Sequence, residues 1–138
     1  MRNILNRTIL IALFSFVAFI GAAHAQKASS GECDDYAKAD AELNKVYAKV
    51  LSEYAKDKVF VAKLRSAQRA WVAFTTAHLT SLYPNAAATY GSVNRSCRCQ
   101  VLADLTRERI LQLQKWLDGA EEGEVCAGSI KRMEEDEE

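Results

Sequence analysis

With 138 residues, 18 basic and 18 acidic side chains and nearly half its residues hydrophobic, the chain is large enough for one domain with its own core and too short for two ordinary ones. The balanced charge excludes the cationic surplus on which sequence-independent nucleic-acid binding rests, and the apolar content excludes a wholly disordered chain. Two histidines and four cysteines leave few ways to build a catalytic or metal centre.

The first 25 residues, MRNILNRTILIALFSFVAFIGAAHA, set Arg2 and Arg7 ahead of an apolar run from Ile9 to Ala23 and end in Ala23-His24-Ala25. A cationic start, a short apolar centre and a small-x-small ending are what a signal peptidase reads, so residues 1–25 are expected to be a signal peptide cleaved after Ala25. The run falls short of the about 20 apolar residues a membrane span needs, and Gln26 rather than a cysteine follows the cut. The expectation is a periplasmic or secreted protein without membrane association once the leader is gone. Removing 25 residues from 138 leaves 113, with a net charge of −2 because Arg2 and Arg7 leave too, and His78 becomes the single histidine.

All four cysteines, Cys33, Cys97, Cys99 and Cys126, lie beyond the leader. An even count in an exported chain of this size predicts disulfides. One C-x-C and two isolated cysteines do not match the paired knuckles of a zinc module, so neither a metal nor another cofactor is expected.

After a linker at 26–32, apolar residues from Cys33 to about Asp57 fall at 36, 39, 43, 47, 50 and 54, the three-four alternation of one helix face. Asp34 and Asp35 suit the positive end of its dipole. The second segment, about Lys58 to Tyr83, carries Phe60, Leu64, Ala67, Trp71, Phe74 and His78 on one stripe. Trp71 and Phe74 read as core residues, His78 as a histidine at the core edge, and Arg65 and Arg69 as a solvated flank. A single long helix across both segments would leave the stripe without a partner, so a turn near Asp57 is preferred, with Asp57 capping the second helix. Pro84 ends that helix, and the stretch from Pro84 to Ser96 has no period, with Asn94 and Ser96 available as caps. The third segment, about Cys99 to Asp118, shows Leu102, Leu105, Ile110, Leu113 and Leu117, with Arg109 beside the stripe, and Gly119 stops it.

The fold class predicted is all-α: a three-helix antiparallel bundle over 33–118, stapled by disulfides, followed by a flexible acidic tail over 119–138. In that layout the third helix begins beside the first, so Cys33 meets Cys97 or Cys99. Cys126 is then expected to bond whichever remains, tethering the tail as it runs back along the bundle, while the acidic end stays disordered.

Three clusters occur in a recognisable order: Ala39-Asp40 with Leu43-Asn44 and Tyr47; Leu64 with Ala67-Gln68-Arg69-Ala70-Trp71 and Phe74; and Leu105-Thr106 with Arg109. Together, over about Cys33 to Leu113, they resemble the lysozyme inhibitor LprI-like family of small exported helical proteins. The chain departs from that pattern at Thr75, Thr76 and Leu79, where relatives often carry Arg-Asp and a cysteine, and at Tyr90, where a second glycine is common. The motif residues Asp40, Leu43, Asn44, Gln68, Arg69, Trp71, Thr106 and Arg109 read as structural, with Asp40, Asn44, Gln68 and Arg109 forming a polar network between helices.

The resemblance implies binding or inhibition of a lysozyme or other cell-wall hydrolase, and Tyr90, Ser92, Asn94 and Arg95 of the loop are the candidate contacts, offering a cation, donors and an aromatic ring to a cleft with two carboxylates. The alternative is a structural or immunity-type partner-binding protein of the envelope. Enzymatic activity is not expected: no Ser-His-Asp set, glycine-rich phosphate loop or H-E-x-x-H helix is present.

Overall fold

The computed structural model describes residues 22–133, with side chains from Cys33 onward. Helix α1 runs over Ala22–Glu53, α2 over Lys58–Leu82 and α3 over Asn94–Asp118, with one 3-10 turn at Ala87–Tyr90 between the last two. The expected signal peptide lies outside the described residues up to residue 21. The stretch 26–32, expected as a linker, has helical backbone continuous with α1.

The break between α1 and α2 falls where the sequence placed it. Asp57 caps α2, its Oδ1 accepting from the Phe60 N–H at 2.9 Å, which satisfies one of the donors a helix start leaves open. The return makes α2 antiparallel to its neighbours, while α1 and α3 run side by side in the same direction. A disulfide from Cys33 to Cys99 joins their starts. At the other end the Tyr54 hydroxyl donates to the Trp116 carbonyl at 3.1 Å. Ala39 and Ala103, both buried, keep the upper halves of α1 and α3 close.

The core lies in the lower half. Leu43, Val46, Val50 and Tyr54 meet Phe60 and Leu64 from α2 and Ile110 and Leu113 from α3, flanked by half-buried Tyr47, Leu51, Val61, Trp71, Trp116 and Leu117. The Phe60 ring packs 4.6 Å from that of Tyr54 and 5.7 Å from that of Trp116. Such aromatic contacts each add about 0.5–1.5 kcal/mol beyond area burial.

The inner face of α2 differs from the expected stripe above Leu64. Phe74 is 51% exposed, Ala67 is exposed and Trp71 is half-buried, whereas Thr75 and Leu79 are buried. The face in contact passes through 60, 64, 68, 71, 75 and 79, so two of its positions are polar. Thr75 tolerates this because its hydroxyl donates to the Val72 carbonyl of its own helix at 2.8 Å. His78 is half-buried at the edge, its ring stacked 5.5 Å from that of Phe74.

Helix α3 starts earlier than the apolar pattern indicates. Val93 is its N-cap, with no side-chain capping bond, and Asn94 is a buried first-turn residue rather than a cap. At the far end Gly119 terminates α3 with φ 84°. A side chain there would meet Met133 Cγ at 2.9 Å, so both backbone conformation and space call for glycine.

The tail is held, but not by a cysteine. After Gly119 the chain folds over the lower end of the bundle, with the Ala120 N–H donating to the Lys131 carbonyl at 2.8 Å and the Met133 N–H to the Ala120 carbonyl at 3.0 Å. The Tyr54 hydroxyl accepts from the Lys131 N–H at 3.0 Å, Lys131 Nζ donates to the Glu53 carbonyl at 3.0 Å, and Trp116 Nε1 donates to Ser129 Oγ at 3.0 Å. This path corrects the expected pairing. Cys97 and Cys126 are both exposed and unbonded. Cys97 sits at the upper end of α3 while the tail stays below, so about 30 Å of helix separates them. The acidic end, expected to be disordered, begins at residue 134, outside the described residues.

Candidate binding surface

Two surfaces gather the residues singled out by sequence. The first is the connection between α2 and α3. Its base is held by side-chain contacts: Tyr83 and Tyr90 meet edge to face at 5.3 Å, the Arg98 guanidinium lies 5.4 Å from the centre of the Tyr83 ring, and the Tyr90 hydroxyl accepts from the Asn85 N–H at 3.0 Å. Gly91, at φ 75°, turns the chain out of the 3-10 turn. Ser92 and Arg95 are exposed, as is Val93. Asn94, expected among the contacts, is only 7% exposed and points inward, because it lies on the inner side of the first turn of α3. Tyr90 is half-buried and supports the loop.

The second surface is a groove of about 510 Å³ between α1 and α2, lined by Tyr47, Leu51, Arg65, Gln68, Arg69 and Val72. It exists because α1 packs closely on α3 while α2 leans on α3 and the core through its large side chains, leaving the flanks of α1 and α2 apart. Arg65 and Arg69, read as a solvated flank, are exposed but face this gap. The sequence carried a signal of this: α2 holds Lys58, Lys63, Arg65 and Arg69 and no acidic residue, so nothing along the helix offsets the cations.

The family-motif residues do not form one network. Asp40 accepts from Asn44 Nδ2 at 3.2 Å within α1, on an exposed face. Gln68 and Arg109 pair separately across α2 and α3, Arg109 Nε donating to Gln68 Oε1 at 3.0 Å and its Nη1 to Gln112 Oε1 at 2.9 Å. Arg109 Nη2 is buried without a hydrogen-bond acceptor among the described residues. Burial pushes the Arg109 pKa down from its ordinary value, and nearby Tyr47 opposes that shift; a guanidinium remains charged regardless. Leu43 and Thr106 are buried and Trp71 flanks the core, so these three serve packing.

Among the described residues no group of histidine, cysteine and carboxylate side chains could hold a metal ion, and no helix is long and apolar enough to cross a membrane. No curated protein and no solved structure matches the chain. A family model described as lysozyme inhibitor LprI matches residues 22–113, two-thirds of the chain, spanning all of α1 and α2 and most of α3. The model thus covers the disulfide, the core and both surfaces, and the chain belongs to the LprI lysozyme-inhibitor family.

Proposed function

We propose that the protein, once freed of its leader and exported to the periplasm or beyond, binds a lysozyme-type glycosidase and inhibits it by blocking its cleft. The observation that carries this reading is membership of a family of inhibitors, not of enzymes, across residues 22–113. Glycosidases of that type work with two carboxylates facing each other across a cleft. A blocker therefore needs a projecting element with a cation and hydrogen-bond donors. The connection between α2 and α3 fits this need, with Arg95 and Ser92 exposed on a base held by Tyr83, Tyr90 and Arg98. A base already ordered in the free protein reduces the entropy lost on binding.

Titrating the mature protein into a muramidase acting on a cell-wall suspension tests the reading. Lysis is expected to slow as the protein approaches molar excess. The Arg95→Glu variant should inhibit about tenfold more weakly, because it sets a negative charge against the catalytic carboxylates, with its melting curve unchanged. Full inhibition by that variant would remove Arg95 from the contact, and unimpeded lysis with the wild-type protein would remove the reading itself.

A further inference from the structure

The groove between α1 and α2 carries the positive charge of Arg65 and Arg69, which no carboxylate among the described residues neutralises. Arg65 and Arg69 stand four residues apart, so their guanidinium groups share one helix face about 6 Å apart at the β-carbons, an arrangement that repels unless an anion bridges it. Among the described residues neither has a carboxylate within ion-pair distance, and no acidic side chain lines the groove.

Arg109 adds a third charge from behind. Its Nε donates to Gln68, which lines the groove, and Tyr47 on the facing helix is close enough to influence its titration. Among the described residues its only side-chain acceptors are two neutral amides, and Nη2 is buried without an acceptor. A partly buried cation without a counter-charge costs stability, so its field is available to an anion placed in the groove. Because Gln68 Oε1 is occupied by Arg109, its Nε2 group is the donor left for a ligand. The rest of the lining, Leu51, Val72 and the Tyr47 ring, is apolar.

We infer that this groove is a binding site for a small organic carboxylate, its acid group held by Arg65, Arg69 and Gln68 over the positive field of Arg109, its apolar body lying against Leu51, Val72 and Tyr47. A planar carboxylate matches the fork of a guanidinium with two parallel hydrogen bonds. The groove volume lies in the range of small-ligand sites, and its apolar wall favours an acid with a hydrocarbon body over a fully hydrated inorganic anion. None of the lining residues belongs to the α2–α3 connection, and the site does not depend on the inhibition of any glycosidase.

The test is a titration of the 15N-labelled mature protein with N-acetyl-leucine, followed through backbone amides and arginine Nε–H resonances. Saturable shifts are expected at Tyr47, Leu51, Arg65, Gln68, Arg69, Val72 and Arg109. N-acetyl-leucinamide, which lacks the charge, and inorganic phosphate, which lacks the apolar body, are expected to bind at least about tenfold more weakly. Arg65→Ala and Arg69→Ala alter exposed residues and leave the core intact, and each should weaken N-acetyl-leucine by a similar factor with the rest of the spectrum preserved. No saturable shift, equal shifts with the amide, tighter binding of phosphate, or unchanged affinity in both arginine variants would each overturn the site.

Discussion

Breaking the disulfide by replacing Cys33 and Cys99 together with serine removes the cross-link between the starts of α1 and α3. The bond closes a loop with a sequence separation of 66, for which the chain-entropy relation gives about 4 kcal/mol at 25 °C. That is a large part of the about 5–15 kcal/mol by which domains of this size are stable. Other contacts near the bond are weak. The Asp35–Arg107 ion pair at 3.9 Å is exposed and adds little, and the buried apolar side chains beside it, Ala39 and Ala103, are small. The upper part of α1 should therefore loosen first. Urea unfolding followed by circular dichroism is expected to lose about 4 kcal/mol, with a steeper denaturant slope because the unlinked chain exposes more surface. Amide exchange should accelerate at 33–40 and stay slow near Val46 and Val50. Replacing Cys97 and Cys126 together should change stability by less than about 0.5 kcal/mol, since both are exposed and unbonded. A cost of several kcal/mol for the second pair, or less than about 1 kcal/mol for the first, would refute the pairing and the layout behind it.

At the lower end, Tyr54→Phe removes a hydroxyl that both donates to Trp116 and accepts from Lys131; an equilibrium melt should register a loss of about 1–3 kcal/mol, with faster exchange of the Lys131 amide. Leu113→Ala, at a fully buried position, should cost about 2–5 kcal/mol in the same measurement, whereas Phe74→Ala, half exposed, should cost well under half as much. Equal costs would mean that α2 is rotated relative to the face described. Asp57→Ala should remove about 1 kcal/mol by uncapping α2, and an unchanged midpoint would show the cap to be dispensable.

The sequence was most legible where chemistry and period agree. The α1 stripe through Ala39, Leu43, Val50 and Tyr54 is buried as its spacing indicates, and Asp57 caps the helix it precedes. Legibility failed where polar residues occupy inner positions. Gln68 and Thr75 lie on the contact face of α2, while Phe74 draws the apparent stripe one position aside. The start of α3 was hidden because its first turn carries no apolar period and no side-chain cap. The tail path was hidden too, since it depends on hydrogen bonds from Tyr54, Trp116 and Lys131 that no spacing announces. Of the candidate contacts, Ser92 and Arg95 are exposed and Asn94 is buried, a difference that no spacing in the sequence announces. The groove required three dimensions, because its walls come from α1 and α2 and its charge from α3 as well.

The proposed occupation of a glycosidase cleft can be read from steady-state kinetics of a muramidase on a soluble oligosaccharide. With increasing amounts of the mature protein, the apparent KM is expected to rise with inhibitor concentration at constant kcat, because substrate and inhibitor compete for one cleft. A lowered kcat at constant KM, or unchanged kinetics at high molar excess, would contradict it.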